Sequence, residues 1–209
     1  MKKMLLLFGF VVSVFMVTPA GFANATVYKF DANWSNQITQ DGFTGISFDS
    51  VYSSALGYGW DAPTLLGGRD RGVISGDPLS NLLRDLHFDS SDRIFSVDVE
   101  NGIYDVKIYF RDSQYYHDTI QVFSENETSA SITIATLPIA TTIIESFTTS
   151  VFDEQLNLRF HDYGGTNQHW IVNAIEISGP APVPEPSALL LLGSGFVGLF
   201  WYGRNRSKV

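Results

Sequence analysis

Cysteine is missing from all 209 residues. That removes thiol catalysis, disulfide staples and thiolate-bound zinc, and leaves any folded domain to be held by its apolar core, with or without a bound cation. Positive charge is scarce as well. The chain has 13 basic and 22 acidic residues, and five of the basic ones (Lys2, Lys3, Arg204, Arg206, Lys208) sit at the two ends. Setting these and Glu185 aside leaves 8 basic residues against 21 acidic ones, a balance of −13. Such a surface repels nucleic acid and anionic membranes, so neither is an expected partner of the central part. It also weighs against strongly anionic polysaccharides, unless a local basic patch overrides the average field. Also missing between the ends are a convincing amphipathic helix, a Gly-x-Ser-x-Gly elbow and a His-Glu-x-x-His pair.

The ends are better defined than the middle. Lys2 and Lys3 precede an almost wholly apolar run from Met4 to Val17, and Ala23-Asn24-Ala25 is a small-x-small site, so residues 1–25 read as a signal peptide cleaved after Ala25. At the other end, residues 180–186 form a Pro-rich linker that includes Val183, Pro184, Glu185 and Pro186. Residues 187–203 are expected to form an apolar helix, which at about 1.5 Å per residue would be about 25 Å long. The basic tail 204–209 is expected to stay in the cytoplasm. Gly193-x-Gly195-x-x-Gly198 matches a dinucleotide fingerprint in letters only: no strand precedes it and no βαβ unit surrounds it. The Val-Pro-Glu-Pro start, the apolar stretch and the basic end resemble a PEP-CTERM sorting signal. The resemblance implies recognition by an exosortase, transient anchoring in the inner membrane, removal of the tail, and release to the cell surface or an extracellular polysaccharide matrix.

Period-two alternation dominates residues 26–179. Tyr104, Val106, Ile108 and Phe110 share one face of a strand, with Asp105 and Lys107 on the other. Asn101-Gly102 separates this run from Ile94, Phe95, Val97 and Val99, which predicts a β-hairpin. Further strands are expected at 27–32, 119–123, 131–135, 143–149, 155–161 and 170–177. Residues 78–87 suggest one or two helical turns, and residues 33–78 are long and aperiodic, a segment that is functional or hides further elements. The fold class is all-β, an antiparallel β-sandwich, most simply a jelly roll.

Chemistry-bearing residues concentrate in Gly57-Tyr58-Gly59-Trp60-Asp61, Arg69-Asp70-Arg71-Gly72 and residues 78–88, then in Arg111-Asp112, Tyr115-Tyr116-His117-Asp118 and His161-Asp162. These pieces, with Tyr28-Lys29-Phe30-Asp31 at the start and Asn173-Ala174-Ile175-Glu176-Ile177 at the end, resemble a galactose-binding-like, malectin-like sandwich of the kind found beside polysaccharide-degrading enzymes. The resemblance implies a sugar site in loops at one end and a structural calcium that clips the first strand to later ones. Aromatic rings suit the apolar face of a pyranose, and guanidinium and carboxylate groups suit its hydroxyls. Tyr58, Trp60, Tyr115, Tyr116 and Trp170 are candidate platforms. Arg69, Asp70, Arg84, Asp112, His117 and Asp118 are candidate polar contacts. The competing assignments are salt-bridge networks for the Arg and Asp residues and a core position for Trp60. Asp31, Asp162 and Glu176 offer hard oxygen ligands for calcium if the first and last strands are neighbours, against ordinary salt bridges for each.

No catalytic constellation is legible. His117-Asp118 and His161-Asp162 are strand neighbours whose side chains point to opposite faces. The expectation is therefore a non-catalytic carbohydrate-binding module that meets extracellular polysaccharide. The alternatives are a structural or adhesive matrix protein without a sugar site, and a small polysaccharide hydrolase or lyase.

Overall fold

A computed structural model describes residues 26–34 and 37–179. The expected signal peptide (1–25) and the linker, membrane helix and tail (180–209) lie outside the described residues. In chain order the elements are β1 (Val27–Asn33), β2 (Thr44–Ser47), β3 (Tyr58–Trp60), β4 (Gly67–Asp70), the helix α1 (Ser80–Arg84), β5 (Asp85–Asp89), β6 (Arg93–Asp98), β7 (Gly102–Phe110), β8 (Ile120–Ser124), β9 (Ile132–Ile134), β10 (Ile143–Val151), β11 (Gln155–Asp162), β12 (Trp170–Val172) and β13 (Ala174–Ser178).

One sheet has the order β10-β7-β13-β1-β2, a second β3-β6-β11-β8-β9, and a third, smaller one β12-β5-β4. Pairing is antiparallel except between β1 and β2. The two five-stranded sheets share one core, as in a β-sandwich. Phe30, Val106, Ile108, Phe110, Ile175 and Ile177 come from the first; Phe95, Val97, Ile120, Val122, Leu156, Leu158 and Phe160 come from the second. The Phe30 and Phe95 rings meet across the gap at 5.2 Å. Alternation explains which side faces in: on β7, Tyr104, Val106 and Ile108 are buried while Ile103, Asp105 and Lys107 are exposed. The helix covers part of the outer face of the first sheet, where Leu82 and Leu83 pack on Tyr109 and Ala174.

Three expectations need correction. The run 94–110 is not a hairpin: β6 pairs with β3 and β11, and β7 with β10 and β13. The Asn101-Gly102 turn instead carries the chain from one sheet to the other. Both arrangements need two alternating strands around a tight turn, so periodicity could not separate them. The segment 78–87 is helical only over Ser80–Arg84, and β5 follows at once. The run 170–177 is two strands in two sheets, broken at Asn173. This fully buried side chain accepts the Arg111 backbone N–H at 2.6 Å and donates to the Asp85 carbonyl at 2.7 Å. Its own backbone N–H donates to the Tyr109 carbonyl, and its carbonyl accepts from Ala32. An amide at this corner thus replaces ladder bonds lost where the strand changes sheet.

The aperiodic segment 33–78 holds β2, β3 and β4. The two ends of the domain meet: Val27 pairs with Ser178, and Gly179 N–H donates to the Thr26 carbonyl.

Candidate functional site

The small third sheet sits at the pole of the sandwich where β7 ends and β13 begins, away from the paired domain ends at Val27 and Ser178. It forms the base of a cleft of about 510 Å³. Leu86 and Phe88 of β5 and Ile171 of β12 supply the apolar base, and Arg69 of β4, Arg71, Asp112, Tyr115 and His117 stand on one side. The loop Thr166–His169, between β11 and β12, closes the other.

Asp112 organises the first wall. Its oxygens accept both Arg71 Nε and Nη2 at 2.9 Å, and the backbone N–H groups of Gln114 at 2.8 Å and Tyr115 at 3.1 Å. His117 Nε2 lies 3.1 Å from Oδ2. Burial raises the Asp112 pKa, but the hydrogen bonds of His117, Arg71 and Gln114 outweigh it and hold the carboxyl down at about 2. The other ring nitrogen of His117, Nδ1, lies 3.0 Å from the His169 carbonyl. Both imidazole nitrogens are therefore engaged within the protein. Asp112 is the sole carboxylate among the described residues lining the cleft.

Asp118 holds the opposite loop from behind. Its Oδ2 accepts the N–H groups of Thr166 and, at 3.1 Å, Asn167. Asn167 Nδ2 reaches back to the Tyr116 carbonyl at 2.5 Å. The loop turns through Gly164 and Gly165 at φ +95° and +129°, and a Cβ at Gly165 would run into the Asp118 carboxylate. Two guanidinium groups lie over rings at the cleft: Arg69 over Phe88 at 4.7 Å and Arg71 over Tyr115 at 5.0 Å. The His169 ring meets Phe88 edge-on at 5.7 Å.

The structure thus brings together Arg69, Asp112 and His117, with Asp118 and the Tyr116 backbone supporting the loop. It separates the others. Trp60 and Trp170 are wholly buried and pack on each other at 5.5 Å and on Phe160, so neither presents a face to a sugar. Tyr58 packs on Phe30 at 4.9 Å, outside the cleft. Asp70 and Arg84 form a two-pronged ion pair, 3.0 and 2.5 Å, that braces β4 against the end of α1; the Arg84 bond holds the Asp70 carboxyl below its usual range. Residues 166–168 were missed as lining groups. The run Gly-Gly-Thr-Asn-Gln-His carried the signal, a tight turn followed by hydrogen-bonding side chains, but amide-rich loops are common.

The expected calcium trio does not converge. Glu176 pairs with Lys29 at 3.1 Å and accepts the Tyr109 hydroxyl, while Asp162 accepts the Gly164 N–H at 2.6 Å at the end of β11. Among the described residues no three His, Asp or Glu side chains form a metal-binding group. Asp31 is nevertheless unusual. It is fully buried beside Asp85 of β5, with Oδ1 unpartnered, and Asp85 is buried with both oxygens unpartnered. Burial pushes both carboxyls up to about 7; at Asp85 the Asp70 and Asp31 charges add to the rise against Arg84, and at Asp31 the Gln40 N–H bond opposes it. The amide oxygens of Asn33 and Gln40, from β1 and the loop whose N–H bonds Asp31 at 2.7 Å, are also buried without donors. Unpartnered buried oxygens carry a large desolvation cost, and an all-oxygen donor set suits a hard cation.

A family model described as beta-agarase/YXIM esterase-like, galactose-binding domain-like matches residues 28–178, and a PEP-CTERM protein-sorting motif matches residues 182–206. The motif indicates export. Beta-agarase A of Zobellia galactanivorans is 30% identical over 175 residues, covering 84% of this chain but 30% of that protein. The chain thus spans under a third of this curated relative. The crystal structure of the YXIM protein of Bacillus subtilis superposes with a TM-score of 0.57 at 22% identity, over 76% of this chain and 41% of that one. A calcium-binding mutant of Bacteroides uniformis beta-glucuronidase 2 gives 0.53 at 14% identity, over 74% and 18%.

Proposed function

Because the chain belongs to the beta-agarase/YXIM esterase-like, galactose-binding domain-like family, we propose that it is a non-catalytic carbohydrate-binding protein of the cell surface or extracellular matrix, wound as a jelly roll. The observation that carries this reading is the polar cleft. It offers an apolar base, an exposed Tyr115 ring, and a rim of amide, hydroxyl and guanidinium groups, while the Asp112–His117 pair within it is spent on internal bonds. Polar groups around a partly apolar floor are what a saccharide needs. In this reading an exosortase-type enzyme recognises the Val183–Pro186 segment, residues 187–203 hold the precursor in the inner membrane, and the trimmed product reaches polysaccharide outside the cell.

The test is binding of the exported protein to a broad polysaccharide panel, read by calorimetry. A micromolar to millimolar dissociation constant is expected, weakened about tenfold by Tyr115→Ala. No binding to any glycan favours a structural or adhesive matrix role. Release of reducing ends or unsaturated products assigns a hydrolase or lyase instead.

Asp31 and Asp85 support a second element of the proposal, a structural calcium held by their carboxylates. The ion would supply the positive charge that the buried carboxylates lack and tie β1 to β5.

A further inference from the structure

The arginines of the domain are nearly all spoken for. Arg71, Arg84, Arg93 and Arg159 each hold a carboxylate. Arg111 donates to the Ala140 carbonyl and the Thr142 hydroxyl. Arg69 differs. Among the described residues it makes one hydrogen bond, from Nη1 to the neighbouring Gly68 carbonyl at 2.7 Å, and pairs with no carboxylate. It is exposed at the cleft, with its guanidinium laid over the Phe88 ring. In a domain with 21 acidic residues, an arginine kept off every carboxylate and propped on an aromatic face has its remaining donors turned to the cleft.

The charges around it agree. The cleft contains Arg69 and Arg71 against the single carboxylate of Asp112, which already serves Arg71 and His117. The lining therefore carries a formal surplus of one positive charge inside a module whose overall balance is −13. Local charge at a few ångströms outweighs a distant, salt-screened average.

Building on the carbohydrate-binding reading above, we propose that the cleft selects a saccharide bearing an anionic substituent, a uronate carboxylate or a sulfate ester, and that Arg69 receives that group as a specificity-determining residue. The planar guanidinium suits two-pronged bonding to either oxyanion. Thr166, Asn167 and Gln168 contact hydroxyls of the same sugar, and the acidic remainder of the surface keeps long polyanions from coating the module elsewhere.

The full chain in a non-glycosidic detergent is titrated with oligogalacturonate, oligoalginate and oligoglucuronate, with the carboxyl-reduced neutral counterpart of each, and with a sulfated and an unsulfated galactan oligosaccharide. The expected result is at least one acidic oligosaccharide binding tenfold or more tightly than its neutral counterpart. That preference falls as salt rises and disappears in Arg69→Gln, while an unchanged melting temperature shows that the variant is folded. The uronate and sulfate arms identify which oxyanion is read. Neutral oligosaccharides binding as tightly as acidic ones, with Arg69→Gln losing affinity for both alike or for neither, overturns the anionic preference and leaves the carbohydrate-binding reading standing. Absence of binding to every oligosaccharide, acidic or neutral, removes both.

Discussion

Replacing Asp112 by asparagine removes the charge from a buried node that takes five hydrogen bonds. The Arg71 guanidinium is left largely buried without its counter-charge, so the variant is expected to lose about 3 kcal/mol at neutral pH, read from urea midpoints. The sign of its pH dependence follows from a folded pKa of about 2, below the usual carboxylate value. The contribution is present above about pH 4 and is lost as pH falls toward 2, so the gap between wild type and Asp112→Asn should close over that interval. His87 acts earlier. Its ring is buried, Nε2 faces the Asn33 carbonyl at 3.0 Å, and burial depresses its pKa to about 4; stability is lost as pH drops from about 6.5 toward 4. Two aromatic residues separate core from cleft. Trp60→Ala is expected to cost roughly 3–5 kcal/mol through the cavity it leaves, whereas Tyr115→Ala at the exposed rim should change stability by under about 0.5 kcal/mol and act on glycan affinity alone.

At the level of elements, the loop between β11 and β12 and the corner at Asn173 set the shape of the cleft. Gly165→Ala places a methyl group against the Asp118 carboxylate at a backbone angle that L residues avoid. The expected outcome is a displaced 166–169 loop: weaker ligand binding in calorimetry, with the melting temperature reduced by only a few degrees. Asn173→Leu should be worse for the fold, about 2–4 kcal/mol by denaturant titration, because it leaves the Arg111 N–H and the Asp85 carbonyl buried and unpartnered. Strands such as β7 and β11 were readable because one face is core and the other is wet, as in Leu156, Leu158 and Phe160 on β11. The partners of those strands were not readable: Asn101-Gly102 serves a crossing between sheets as well as a hairpin. The strands β2, β3 and β4, three or four residues each, are too short to show a period and carry glycines in place of alternating side chains. The cleft was legible in part for the same reason. Arg69, Asp112 and His117 are chemically conspicuous in sequence, but whether an arginine is paired depends on carboxylates tens of residues away, as with Arg71 and Asp112.

For the molecule as a whole, the buried Asp31 and Asp85 carboxyls bear on how stability depends on pH and cations. Each is raised to about 7, so without a cation the folded state keeps protons that the unfolded state has released. Stability should fall as pH rises through 7. That loss runs from about pH 4 to about 7 and is opposed by His87, whose contribution grows until its unfolded-state imidazole is neutral, so the carboxyl share is read by comparing the pH dependence of wild type with that of Asp85→Asn. If calcium replaces the protons, a chelator should lower the melting temperature by roughly 5–10 °C at pH 8 and by less at pH 6. Added calcium should reverse the loss, and Asp85→Asn should be insensitive to both. The same melting temperature with and without chelator would rule the ion out.

The neighbouring ends of the domain, joined through β1 and β13, have a mechanical consequence. Traction applied to both ends at once would peel that antiparallel seam open one hydrogen bond at a time, beginning at Val27 and Ser178. A pull through one end alone, against a ligand held at the far pole, spreads the load over several strands instead, so a module hung by a single terminus is the sturdier anchor.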